Sequence, residues 1–211
     1  MMVQRVRIKM CGMTRREDVL HAARLGADAI GLIFHPASPR CVTLEQAAEL
    51  LGKQPLFTNV VAVLVNPEVQ QVNEIIHALP VNWLQFHGDE TPEFCRQFDL
   101  PYIKAVPVRS SSCINDAMRK YAEASALLLE TPSLAVRGGS GQVFDWRLIP
   151  EQRTLPIILA GGLSLENIAE ALKVCQPDAV DICSGLESSP GIKDHDKMNR
   201  FVELVGGINE Q

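Results

Sequence analysis

Long apolar runs, paired cysteines, surplus positive charge and a dinucleotide-binding turn are all missing from this chain, and each absence removes a class of function. No stretch approaches the roughly 20 apolar residues of a membrane span. The opening residues, Met1 to Met10, alternate charged with apolar side chains and lack the apolar core of a secretion signal. The six cysteines form no C-x-x-C pair and hold no ligand spacing with the five histidines. Reduced thiols in a cytoplasmic protein, with no metal, are therefore expected. The formal charge is -5, so neither nucleic acid nor an anionic membrane surface is expected as a partner. An anionic ligand would need local positive groups. No linker, low-complexity tract or long charge run divides the 211 residues, and one domain over 1–211 is expected. With 46% hydrophobic and 21% charged residues, a chain of this size buries a sufficient core unaided.

What is present is an alternation. Apolar runs of strand length occur at Arg5 to Met10, Ala29 to Phe34, Asn59 to Val65, Trp83 to His87, Tyr102 to Val108, Ala126 to Glu130, Ile157 to Ala160 and Ala179 to Cys183. Most are near-continuously apolar, as in strands covered on both faces. Helical spacing fills the intervals. Thr14 is expected to cap a helix ending at Gly26, Thr43 and Gln46 form a capping-box pattern, and Pro67 is expected in a first helical turn. The segment Trp146 to Pro150 reads as a weaker helix. Such alternation means a parallel sheet. Eight units in this length predict a closed (β/α)8 (TIM) barrel. The rival, an open doubly wound sheet, lacks its G-x-G-x-x-G turn here.

A barrel of this kind builds its site from the loops after the strands, which makes position informative. Cys11 follows the first strand as a candidate base, and Lys9, two residues back, is expected on the same face, where its charge favours a thiolate. Arg40 lies on the loop after the second strand, and its fork suits a planar carboxylate. His35 is read as a loop residue. Gln85 and His87 share one face of the fourth strand, the interior if Leu84 and Phe86 face the helices. They are either site residues or a satisfied pair. Asp89 and Glu90 read as residues leading into a helix. Glu130 ends the sixth strand as an acid/base group or a loop cap, and desolvation there would raise its pKa. Gly138 to Gly141 stand in a loop long enough for a lid. Gly161 and Gly162, then Ser184 and Gly185, form two glycine-rich turns whose amides suit a phosphate.

The strings "KMCGMT", "GLIFHPASPR", "LQFHGDE", "GGSGQVFDW", "LAGGL" and "DICSGLESSPGIKD" together resemble the phosphoribosylanthranilate isomerases of tryptophan biosynthesis, in order over nearly the whole length. The resemblance implies a (β/α)8 barrel that performs an Amadori rearrangement of a small phosphosugar without a cofactor. It implies Cys11 as general base, Arg40 on the anthranilate carboxylate, and Gly161, Gly162, Ser184 and Gly185 on the phosphate. The family's general acid is an aspartate where this chain has Glu130. That extra methylene obliges the carboxyl to retract, since a misplacement of about 1 Å costs roughly 100-fold in rate. The same chemistry requires a thiolate, so a low or intermediate Cys11 pKa is expected. Indole-3-glycerol phosphate synthase and a histidine-pathway isomerase fit less well. The former carries a catalytic lysine and an added N-terminal segment; the latter has an aspartate at the end of strand one. A phosphate-ligand-binding barrel with impaired catalysis is the alternative that Glu130 suggests. Oligomeric state is not legible.

Overall fold

In a computed structural model, residues 5–52, 57–132 and 143–209 are described. Eight parallel strands close a barrel in sequence order: β1 (Arg7–Cys11), β2 (Ala29–Ile33), β3 (Asn59–Leu64), β4 (Trp83–Phe86), β5 (Tyr102–Pro107), β6 (Ala126–Glu130), β7 (Ile157–Leu159) and β8 (Ala179–Ile182). Around them pack α1 (Arg16–Arg24), α2 (Leu44–Leu51), α3 (Val69–Ala78), α4 (Pro92–Arg96), α5 (Ser111–Lys120), α6 (Ile168–Cys175) and α7 (His195–Asn209). Between β6 and β7 the described residues contain only a single 3-10 turn, Trp146–Leu148, where the sequence suggests a weak helix. A short hairpin, β9 (Glu187–Ser189) and β10 (Ile192–Lys193), leads from β8 into α7. No helix among the described residues is long and apolar enough to cross a membrane.

Strand alternation sorts the core into two layers. Val61, Val63, Ile103, Ala105, Leu128 and Ile158 fill the barrel. Their neighbours, among them Met10, Ile30, Leu84, Phe86, Leu127 and Leu129, pack outward against the helices. This settles the face of β4: Leu84 and Phe86 point to the helices, so Gln85 points inward. Phe86 anchors an aromatic cluster with Phe94, Phe98 and Tyr102.

Three expectations about helix starts divide. The capping box of Thr43 and Gln46 is formed in both directions, with Thr43 Oγ1 accepting from Gln46 N at 3.2 Å and Gln46 Oε1 accepting from Thr43 N at 2.9 Å. Thr14 is not a cap. The N-cap of α1 is Arg15, without a side-chain bond, while the Thr14 hydroxyl donates across the rim to the Gly191 carbonyl. Pro67 stands before the N-cap Glu68 rather than inside the first turn of α3. Glu90 does lead into α4, standing just before its N-cap Thr91, and has a further role. It is buried, pairs with Lys104 at 3.1 Å, and accepts from the backbone of Asn66 and Gly88. Lys104 in turn donates to the Gly88 carbonyl at 2.6 Å. One ion pair thus ties the loops after β3 and β4 to β5.

Candidate active site

Cys11 is the last residue of β1 and only 5% exposed. Room for its sulfur comes from Gly31 on β2, where a Cβ would fall 2.6 Å from Cys11 Sγ. Lys9 does share its face, as expected, and acts on both Cys11 and Asp181. Its ammonium lies 2.9 Å from Asp181 of β8, inside the barrel. Burial lowers the Lys9 pKa, and the charge and hydrogen bond of Asp181 more than offset it, so Lys9 stays protonated. The expected low pKa of Cys11 is not found. A hydrogen bond with Cys183 and then burial push the Cys11 thiol well above its ordinary value, and the Lys9 charge opposes them without prevailing.

His87 and Gln85 stand across the barrel mouth. Their contact, Gln85 Nε2 to His87 Nδ1, is 3.0 Å. The other ring nitrogen, Nε2, lies 2.9 Å from Glu130 Oε2 at the end of β6. Burial lowers the His87 pKa, but the Glu130 hydrogen bond and charge raise it further, so the net direction is upward. Among the described residues Gln85 Oε1 has no hydrogen-bond partner although buried. Turning that amide over would let Oε1 accept from Nδ1–H of an imidazolium. The extra methylene of Glu130 therefore has a destination: it carries the carboxylate to an imidazole. Histidine and carboxylate can hold one proton between them.

Arg40 is buried at 8% exposure, with its fork already engaged. Nε and Nη2 donate to the two carboxylate oxygens of Glu187 at 2.7 and 2.6 Å. Lys193 Nζ donates to the same carboxylate at 3.0 Å. The Glu187 bond raises the Arg40 pKa, and the two cations hold Glu187 below its usual range despite its burial. A bidentate contact uses two of arginine's five donors, leaving the outer edge of the guanidinium for another acceptor. His35 lies on the same loop, where its carbonyl accepts from Ser38 N at 2.9 Å.

The two glycine-rich turns meet beside this group. Gly161 and Gly162 both have positive φ, +78° and +74°. Gly185 lies so close to the first turn that a Cβ there would sit 2.1 Å from the Leu163 carbonyl oxygen. Ser184 and Gly185 begin a 3-10 turn at the rim, with Ser184 exposed. The Gly138 to Gly141 stretch lies outside the described residues.

A sequence profile of the family described as N-(5'phosphoribosyl)anthranilate (PRA) isomerase matches residues 8–204. The chain belongs to that family. It is 55% identical over 203 residues to N-(5'-phosphoribosyl)anthranilate isomerase of Legionella pneumophila (strain Paris), covering 96% of this chain and 98% of the relative. The crystal structure of phosphoribosyl anthranilate isomerase from Thermotoga maritima matches with a TM-score of 0.88 at 36% identity, over 96% of this chain and 99% of that one. A further crystal structure of the isomerase holds reduced 1-(o-carboxyphenylamino)-1-deoxyribulose 5-phosphate. It matches with a TM-score of 0.85 at 36% identity, over the same shares of the two chains.

Sequence reasoning missed four residues of this rim: Gly31, Cys183, Glu187 and Lys193. The strand-end rule could have found Cys183, which directly follows β8. Nothing local marks Glu187 as the partner of a residue 147 positions earlier.

Proposed function

We propose that Cys11 and Glu130 are the base and acid with which this chain, an isomerase by family, converts N-(5-phosphoribosyl)anthranilate to 1-(2-carboxyphenylamino)-1-deoxyribulose 5-phosphate in tryptophan biosynthesis. The observation that carries the reading is convergence. Cys11, His87, Glu130 and Arg40 come from four separate strand ends or loops to one barrel mouth, beside the glycine turns after β7 and β8.

The chemistry assigns each a task. Glu130, sharing a proton with His87, protonates the furanose oxygen and opens the sugar to an iminium. The iminium acidifies the C2 proton, which Cys11 removes, and the electron pair moves into the C1–C2 bond as the enolamine forms. Protonation at C1 and loss of the 2-hydroxyl proton then give the ketone and restore the acid. The outer edge of Arg40 would hold the anthranilate carboxylate, and Gly161, Gly162, Ser184 and Gly185 the phosphate. Gln85 would fix the tautomer of His87 and, through its otherwise unpartnered oxygen, the acid's protonation. The net step is an internal hydrogen transfer with no external electron acceptor. The contact of Glu130 with His87 argues against reading it as a trace of lost catalysis. All six cysteines are free, which supports a cytoplasmic location.

The test is to generate the fluorescent substrate in situ and follow its decay on adding the chain. Decay that Cys11→Ser and Glu130→Gln both abolish is the expected result. Wild-type decay in either variant overturns that residue's role, and no decay with the folded wild-type chain overturns the activity.

A further inference from the structure

The barrel mouth holds one thiol more than this reaction uses. β1 and β8 run in register through Met10 and Ile182, so Cys11 and Cys183 are the next residues on neighbouring strands. Each thiol is the first influence on the ionisation of the other. Their surroundings differ in a way that matters for charge. Cys11 faces the apolar barrel interior. Lys9 and Asp181, an ion pair at 2.9 Å, lie one inward-facing position below the two cysteines, where the Lys9 charge favours a Cys11 thiolate and the Asp181 charge opposes it. His87 and Arg40 are further cations that Cys11 feels across the mouth. Cys183 packs against the same interior cluster but also borders the rim network. Lys193 Nζ lies 3.9 Å from its sulfur and Glu187 Oε1 4.0 Å. The Arg40 side chain is also close, since one Cβ built on Gly12 would meet both Arg40 Cδ at 2.6 Å and Cys183 Sγ at 2.9 Å. Two cations and one carboxylate leave a net positive field at Cys183.

We propose that Cys11 and Cys183 act as one base: at rest the pair carries a single negative charge seated on Cys183, and Cys11 takes the substrate's C2 proton as its own proton passes to Cys183. This rests on Cys11 being the base. The step balances. One thiol and one thiolate become two thiols, while the C2–H electron pair enters the C1–C2 bond. Returning a proton to C1 restores the single charge. The device answers a physical difficulty, because a thiol enclosed by apolar side chains resists ionisation. Moving the charge one residue sideways places it against Lys193 and Arg40. In keeping with this, the hydrogen bond from Cys11, then the Lys193 and Arg40 charges, bring the Cys183 pKa down to about 7 against its burial.

The experiment is alkylation by iodoacetamide across pH, with the modified cysteine identified by peptide mass spectrometry, on the wild-type chain, Cys183→Ser and Cys183→Ala. Substrate decay is recorded on the same samples. The expected result is a wave of wild-type alkylation near neutral pH, starting at Cys183 and absent from both variants. The acid limb of kcat/KM should move up by about one pH unit or more in the variants, a loss of about tenfold at pH 7 that higher pH restores. A wild-type chain without the neutral wave overturns the proposal without any variant having to fold. So do variants that keep the wild-type acid limb. Failure of the underlying reading is distinct: Cys11→Ser would then turn over normally, whatever the thiols titrate at.

Discussion

Burial alone would make Cys11 a poor base, and the proposed pairing with Cys183 is what would let it serve. Cys11→Ser nearly keeps the volume and removes the proposed base, so kcat should fall by about 1000-fold or more with KM nearly unchanged, read from substrate decay. The acid side follows a different rule. Glu130 raises the His87 pKa above its ordinary value of 6.5, so folding favours the imidazolium. That contribution to stability is complete below the unfolded value and fades as pH rises through the higher folded value. Glu130→Gln removes the charge and leaves burial in control. The imidazole resonances of His87 should then titrate at lower pH than in the wild type, and kcat should drop by about 100-fold. Glu130→Asp keeps a carboxyl but withdraws it from His87. It should retain more activity than Glu130→Gln, and an equal loss in both would remove the carboxyl from the mechanism.

Between elements, contacts are tight enough for single atoms to matter. Gly185 touches the turn after β7, so Gly185→Ala must push two loops apart at a cost of about 1–3 kcal/mol. If those loops hold the phosphate, KM should rise about tenfold while kcat changes little, as for any contact held equally in ground and transition states. The Glu90–Lys104 pair is a stronger tie. Lys104→Met strands a buried carboxylate and should cost about 3–5 kcal/mol in urea unfolding, whereas adding Glu90→Gln should recover much of it. These ties also mark the limit of what a sequence can tell. Seven of the eight strands lie within the apolar runs and β1 exceeds its run only by Cys11, because strands buried on both faces leave a signature in consecutive residues. The capping box of Thr43 is equally local. Thr14 misleads because its hydroxyl is claimed by Gly191, 177 positions away. Likewise Cys11, His87 and Glu130 are legible as strand ends, while Arg40's partner Glu187 and Lys9's partner Asp181 are visible only once the barrel closes. A thiol pKa depends on such distant partners, which is why the low value expected for Cys11 fails and the acidic thiol is its neighbour.

At the scale of the whole molecule, the barrel shuts where its first and last strands pair. Lys9 and Asp181 meet there across 172 positions of sequence. Contacts this remote form late, because the chain must surrender the most freedom to make them. Both thiols sit on that closing seam. If Cys11 is the base, seven strands could assemble with their helices docked and the molecule would still be inactive. Activity would then report the last event of folding. After dilution from urea, activity should lag the return of far-ultraviolet ellipticity. Swapping Asp181→Asn, which loosens the seam, should lengthen that lag more than it slows the appearance of helix.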